Sequence, residues 1–196
     1  MGNTDKLAKA FHLFDEANGK DPNTETLNGK SYPKELLYAH RMTEILNEFS
    51  SDASEALKLT ARCQHICRWE IPRNRYEMNR VGYLKWRQEL KKFHAEKAMT
   101  ILKKVGYGEE TIGQVEFLLL KKQLKRNEET QALEDVICLV FLKYYFEPFA
   151  KKHEEIKVID ILQKTWRKMS EKGQQAAMNL SFSNEALVII NKAVSG

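Results

Sequence analysis

Apolar residues along the chain recur at intervals of three and four positions, which is the spacing of amphipathic helices. Together with the residues that start and stop helices, this pattern predicts about eight of them. The predicted helices cover residues 5–17, 33–49, 53–70, 84–105, 109–122, 128–147, 153–171 and 184–194. Because no segment shows a convincing strand pattern, we expect an all-α fold.

Several residues mark the predicted helix ends. Pro33 suits the first turn of the second helix, and Asp52 with Glu55 makes a capping pair for the third. Gly106 is a good C-terminal cap, and Asn184 can cap the last helix.

Two segments between the helices lack any periodicity. Residues 18–32 form a polar loop that contains Asn28 and Gly29, and residues 72–82 form an irregular basic loop. A loop as long as the first is uncommon in a compact domain unless it is mobile or functional.

Composition narrows the class of protein. A chain of 196 residues that is 42% apolar can bury a sizeable core, so we expect one domain over residues 1–196. The 3 cysteines are an odd number without a CxxC pair, which fits a reducing compartment better than a disulfide scaffold. No leader is evident, and the longest apolar run, 136–142, is far shorter than the roughly 20 residues of a membrane span. These features predict a cytoplasmic protein without a membrane partner.

The net charge of +5 is local. Residues 71–97 contain eight basic and three acidic side chains, so this segment alone accounts for the whole excess. The distribution indicates an anion-binding site more than a general coat for polyanions.

Two polar residues lie on apolar helix faces. His94 shares a stripe with Leu90 and Ala98, and Asp135 shares one with Leu139 and with Gln131. An unpaired carboxylate there would cost several kcal/mol, so Asp135 needs a cation, a hydrogen-bonding network or a metal as its partner.

Other candidates line the remaining faces. Gln64, His65 and Arg68 share one side of their helix and predict a polar cleft. His40 points away from the core side of its helix and is better interpreted as solvated, whereas Arg41 lies beside the core and can reach a site.

Basic and aromatic residues alternate in one region. Such a mixture suits a phosphate or stacked bases, although the tryptophans can equally anchor the loop to the core. The anion-binding candidates are Arg68, Arg73, Arg75, Arg80, Arg87 and Lys97, interleaved with Trp69 and Trp86.

Longer motifs resemble known families. The strings DPN at 21–23, YPKELLYAHRM at 32–42, QHICRWEIPR at 64–73, LEDV at 133–136 and IDILQKTWRKMS at 159–170 together resemble the domain of unknown function 4202 family. The order of helices that carry His40, His65, His94 and Asp135 resembles, more distantly, the helical metal-dependent phosphohydrolases named for a His-Asp pair.

That second resemblance implies an HD-domain-like helical bundle in which a divalent transition metal activates water. The implied ligands are His65, His94 and Asp135, with His40, Glu70 or Glu134 as a fourth. In this chain, however, Ile66 stands where the aspartate of the His-Asp pair would follow His65.

Two functions from different classes therefore stay open. One is a metal-dependent phosphohydrolase for a nucleotide-like phosphate ester, in which Arg68 and Lys97 hold phosphate oxygens. The other is a non-catalytic module that binds a phosphorylated ligand or RNA through residues 68–87. A small phosphorylated ligand is favoured because buried polar residues on several helices indicate an enclosed pocket. A purely structural alternative pairs Asp135 with Arg68 or Lys97.

Overall fold

The computed structural model describes residues 3–194. It divides into two compact units, residues 1–122 and 123–196, which we call unit 1 and unit 2. The prediction of one domain over 1–196 stays a prediction, and residues 1, 2, 195 and 196 lie outside the described residues.

Unit 1 is built from helices and one hairpin. Its elements are α1 (Asn3–Asn18), β1 (Thr24–Leu27), β2 (Lys30–Pro33), α2 (Lys34–Phe49), α3 (Glu55–Cys63), α4 (Arg80–Val105) and α5 (Glu109–Leu119), with short 3-10 turns at Arg68–Glu70 and Arg73–Arg75. The short helix α3 packs against α1, α2 and α5, and α4 packs against α1 and α5. Six of the nine residues of α3 are buried, so this helix forms much of the core of unit 1.

The described part of unit 2 contains helices and the connections between them, and no strand. Its elements are α6 (Glu128–Val140), a π-helical turn at Phe141–Tyr145, α7 (Phe146–Ala150), α8 (Glu155–Lys168), α9 (Glu171–Met178) and α10 (Asn184–Val194). The helix α8 packs against α10, and α9 packs against α6. The helix predicted over 153–171 ends at Lys168 and the separate helix α9 follows it, so the predicted end of that helix was wrong and α9 was not predicted.

The prediction of a mostly helical chain is confirmed, but the absence of strands is wrong. Residues predicted as a polar loop contain an antiparallel hairpin in which Leu27 pairs with Lys30 and Thr24 with Pro33. Asn28 and Gly29 form its two-residue turn, both with positive φ, at 52° and 76°. Both strands are short and mostly exposed, so they lack the apolar alternation by which strands are recognised.

The turn gives a direct test of backbone strain. Gly29 has a φ of +76° and open space where a Cβ would lie, so Gly29→Ala should destabilise the protein by about 1 kcal/mol through strain alone. Gly113, inside α5, also has open space and no such strain, so Gly113→Ala should stabilise by about 0.5 to 1 kcal/mol. Thermal unfolding of both variants measures the two effects. If both substitutions changed the stability in the same direction, the explanation by backbone strain would be contradicted.

Two of the predicted N-terminal caps are wrong, because a neighbouring serine caps each of these helices instead. The Oγ of Ser54, not Asp52, accepts the N–H of Leu57 at the start of α3. Ser183 likewise precedes α10 and its Oγ accepts the N–H of Ala186. Gly106 ends α4 in the left-handed conformation, as predicted.

The DPN motif has a structural role in this fold. One carboxylate oxygen of Asp21 accepts the N–H of Glu35 at 3.0 Å, in the first turn of α2, while the other accepts the backbone and side-chain N–H groups of Asn23 at 2.9 Å. This buried carboxylate therefore fixes the position of Glu35.

Among the described residues, no helix is long and apolar enough to cross a membrane.

Candidate functional site

A four-residue turn, 64–67, interrupts the helix predicted over 53–70. Two buried side chains from other helices hold this turn. The Oδ1 of Asn18 accepts the N–H of Cys67 at 3.0 Å, and Nδ1 of His94 donates to the carbonyl of Ile66 at 2.8 Å. Cys67 has a positive φ of 52°, which a non-glycine residue adopts only where its surroundings impose it. The turn carries His65 and leads directly into Arg68.

His65 lies between a cation and a carboxylate. Its Nε2 is 2.9 Å from Nη1 of Arg68, and its Nδ1 is 3.5 Å from Oε2 of Glu35. A guanidinium can only donate, so Nε2 accepts and the proton lies on Nδ1, facing Glu35. The ring of Tyr38 stacks on His65 with centroids 4.2 Å apart. The orientation of His65 is thus fixed on three sides.

His94 completes this group. It is 4% exposed, and its ring centroid lies 5.8 Å from that of His65. Because its Nδ1 donates to a carbonyl, its Nε2 carries a lone pair, and this atom is buried without a hydrogen-bond partner among the described residues. We call Glu35, Tyr38, His65, Arg68 and His94 the His65 cluster.

Burial and neighbouring cations keep both histidines neutral. Burial lowers the pKa of His65 well below its usual range, and the charges of Arg68, Lys121, Arg87 and Lys34 lower it further. Burial likewise lowers the pKa of His94 to about 3.

The pKa of Glu35, the carboxyl group of the His65 cluster, is also shifted by its surroundings. Burial raises the pKa of Glu35, although Arg68 and Lys34 oppose that shift. Several cations therefore act on His65 against one buried carboxyl group, so the local field favours an anion.

Two of the predicted anion-binding arginines, Arg73 and Arg75, bind backbone carbonyls. The guanidinium of Arg73 donates to the carbonyls of Tyr76, Glu77 and Asn79, at 2.6 to 3.2 Å. Arg75 donates to the carbonyl of Glu70 at 3.2 Å. These arginines therefore fold the basic loop.

The remaining cations have different surroundings. Lys97 forms an ion pair with Glu70 at 2.9 Å, and the guanidinium of Arg87 lies 5.7 Å from the ring of Tyr83. Arg80 is exposed at the start of α4. Of the six predicted anion-binding residues, only Arg68 belongs to the His65 cluster, and Arg87 acts on it through its charge.

The two tryptophans of this region also differ. Trp86 is buried, its Nε1 donates to the carbonyl of Ile71 at 2.8 Å, and Arg68 lies 4.9 Å above its ring. Trp69 is half-buried in the 3-10 turn. Trp86 therefore packs against Arg68, and its hydrogen bond to Ile71 anchors the start of the basic loop to α4.

Asp135 lies in unit 2 within a hydrogen-bonding network. Its Oδ1 accepts the N–H of Ser170 at 2.8 Å and Nε2 of Gln131 at 3.0 Å, and its Oδ2 accepts the hydroxyl of Ser170 at 2.5 Å. Ser170 is itself the N-cap of α9 and accepts the N–H of Gly173. Of the three partners that the sequence allowed for Asp135, the structure contains the hydrogen-bonding network.

The weaker candidates take other positions. His40 is exposed and 3.5 Å from Asp15, which confirms that it points away from the core. Arg41 is buried and paired with Glu25 of the hairpin. Gln64 is buried in unit 1, and Glu134 is buried in α6.

The donor atoms of the implied metal site are largely engaged. The lone pair of His65 accepts from Arg68, and both oxygens of Asp135 accept from Ser170. Only His94 presents the arrangement usual in a metal ligand, with one nitrogen bound to a carbonyl and the other carrying a lone pair. Within residues 3–194 no group of three His, Cys, Asp or Glu side chains could hold an ion. In their present arrangement these donor atoms do not form a metal site, and metal binding stays a prediction.

Sequence reasoning missed Glu35 and Tyr38. Glu35 is seven residues before Met42 and four before Ala39, so it lies on the apolar face of α2. A carboxylate on that face was the available signal, as it was for Asp135. The stacking of Tyr38 on His65 has no counterpart in the sequence pattern.

Comparison with known proteins gave one match. A family model described as "Domain of unknown function (DUF4202)" matches residues 8–190. No curated protein and no solved structure matches the chain.

Proposed function

The chain belongs to the DUF4202 family of domains of unknown function, and from its own residues we propose that unit 1 binds a small phosphorylated ligand at the His65 cluster. The observation that carries this proposal is the unequal charge around His65. Arg68, Arg87, Lys34 and Lys121 all act on this neutral ring. A phosphate ester would add negative charge where these cations act.

Arg68 is the residue best suited to contact the phosphate. Its side chain is 31% exposed, so it links the buried cluster to solvent. A guanidinium carries five N–H donors, which is more than its contacts with His65 and Glu35 use. Because the guanidinium also lies 4.9 Å from the ring centroid of Trp86, its position is restricted before a ligand arrives.

The test compares two arginines that differ in location. Inorganic phosphate and phenyl phosphate are titrated by calorimetry into the unmodified protein, Arg68→Gln and Arg126→Gln. Loss of a charge-assisted hydrogen bond should weaken binding about 30-fold in Arg68→Gln. Arg126 is exposed and is not among the cations that act on His65, so its variant loses the same charge and should change affinity less than about 2-fold. Equal losses in both variants, or no saturable binding to the unmodified protein, would contradict the proposal.

The predicted phosphohydrolase remains a separate candidate because of His94. Its Nε2 is a hydrogen-bond acceptor that is buried without a partner among the described residues. Hydrolysis of phenyl phosphate is measured with added manganese or zinc, in the unmodified protein and in His94→Asn. Metal-dependent turnover that disappears in the variant would favour hydrolysis over binding alone.

The predicted RNA-binding role is less well supported. Arg73 donates to backbone carbonyls of its own loop, Arg75 donates to the carbonyl of Glu70, and Trp86 is buried next to Arg68. These groups would have to leave their present partners to contact a strand. RNA binding stays a prediction, and a steep fall of RNA affinity with added salt would support it.

A further inference from the structure

Four large apolar side chains project into solvent within one short segment of unit 1. Met78 is 79% exposed, Val81 57%, Leu84 50% and Tyr83 43%. We call residues 78–84 the projecting patch. Single exposed apolar residues are ordinary, but a contiguous group of them usually marks an interaction surface.

The projecting patch is held rigidly. Arg73 donates to the carbonyls of Glu77 and Asn79 on the approach to it, and the side chain of Asn79 caps α4. Gly82 packs so closely that a Cβ there would lie 2.2 Å from the carbonyl oxygen of Glu77. The loop is therefore folded against the first turn of α4, where Met78 is exposed.

Exposed cations occur within the projecting patch and along the α4 helix that follows it. Arg80, Lys85 and Lys92 are all exposed, and among the described residues no ion pair or hydrogen bond occupies their side chains. The excess of five positive charges in the whole chain lies within residues 71–97. The N-terminus of α4 adds its partial positive charge at Arg80.

We propose that the projecting patch docks the protein on the surface of an anionic membrane. The cations would lie against lipid phosphates while Met78, Val81 and Leu84 enter the boundary with the acyl chains. Tyr83, which has an apolar ring and a polar hydroxyl, suits the interface between them.

Charge and shape favour lipid over other occupants. An RNA strand would satisfy the cations but leave the three aliphatic side chains in water. These side chains project from a loop and a helix start, whereas an amphipathic partner helix needs a groove to enter. Docking on a membrane surface requires no spanning helix, so this proposal is compatible with the lack of such a helix among the described residues.

The experiment measures sedimentation of the full chain with vesicles. Phosphatidylcholine vesicles are compared with vesicles that also contain about 30 mol% phosphatidylserine. The test variant combines Met78→Ser, Val81→Ser and Leu84→Ser. The matched control combines Ile156→Ser, Met178→Ser and Val188→Ser, which are 82%, 71% and 54% exposed in unit 2. All six side chains are exposed, so both variants should fold, and circular dichroism checks this.

We expect the unmodified protein and the control to sediment with anionic vesicles and not with neutral ones. The test variant should lose at least about 10-fold in affinity, and Arg80→Gln with Lys85→Gln should lose a similar amount. Equal retention of test variant and control would overturn the proposal, as would absence of binding at low salt. RNA binding that needs the cations but not the aliphatic residues would assign the surface to nucleic acid instead. Because Arg68→Gln should leave sedimentation unchanged, failure of the proposed phosphate site is distinguishable from failure of docking.

Discussion

Replacement of Asp135 by alanine should lower the free energy of unfolding by about 3 kcal/mol, since several buried or half-buried donors would lose their acceptor together. These donors are the N–H and hydroxyl of Ser170 and the side-chain amide of Gln131. The carboxylate is 2% exposed, so water cannot easily replace it. Chemical denaturation followed by helical circular dichroism gives the measurement.

A second aspartate in the same unit supplies the control. Asp160 forms an ion pair with Lys164 one helical turn away, and both side chains are more than half exposed. Asp160→Ala should therefore cost less than about 0.5 kcal/mol. If the two variants proved equally stable, the hydrogen-bonding network of Asp135 would not have the structural role assigned to it.

Acidification should destabilise the protein through His94. Its pKa is about 3 in the folded protein and 6.5 in its ordinary state, because burial disfavours the charged ring. The unfolded chain therefore takes up a proton below pH 6.5, whereas the folded chain does not, and stability falls as the pH falls toward 3. We expect a loss of about 3 kcal/mol between pH 7 and pH 4 from this residue. His65 and Arg68 act in the same direction as burial, and Glu35 opposes them.

The corresponding variant is His94→Asn, which keeps an N–H donor for the carbonyl of Ile66 but cannot titrate. It should remove most of the pH dependence assigned to His94, as measured by denaturation at the two pH values. His12 is exposed on α1 with a side chain that is 71% accessible, so His12→Asn should leave the pH dependence as it is. A full slope that persists in His94→Asn would mean that other groups cause the acid sensitivity.

Most helices could be predicted because their signals are local. The spacing of apolar residues placed α1, α2 and α4 within a few residues of their bounds. The break after Cys63 could not be predicted, because residues 53–70 continue the helical pattern and the turn is imposed by Asn18 and His94 from distant positions. The hairpin escaped prediction because most of its strand residues remain in water.

For the candidate site, too, local features could be predicted and contacts between distant residues could not. The helical period alone indicated that His94 and Asp135 would be buried and that Asp135 would need a partner, and both are buried. It could not identify the partner, because Ser170 is 35 positions away in sequence. Nor could it distinguish Arg68, which joins the His65 cluster, from Arg73, which holds its own loop.

The sequence by itself thus determined the helical class, the buried polar positions and the concentration of positive charge in residues 71–97, since each depends on residue type and short-range spacing. Tertiary structure alone decided which polar atoms meet. Glu35, His65 and His94 come from three separate elements, and the contacts among them depend on how α2, the 64–67 turn and α4 pack. Such packing depends on the volumes and shapes of many side chains at once, so no local pattern specifies it.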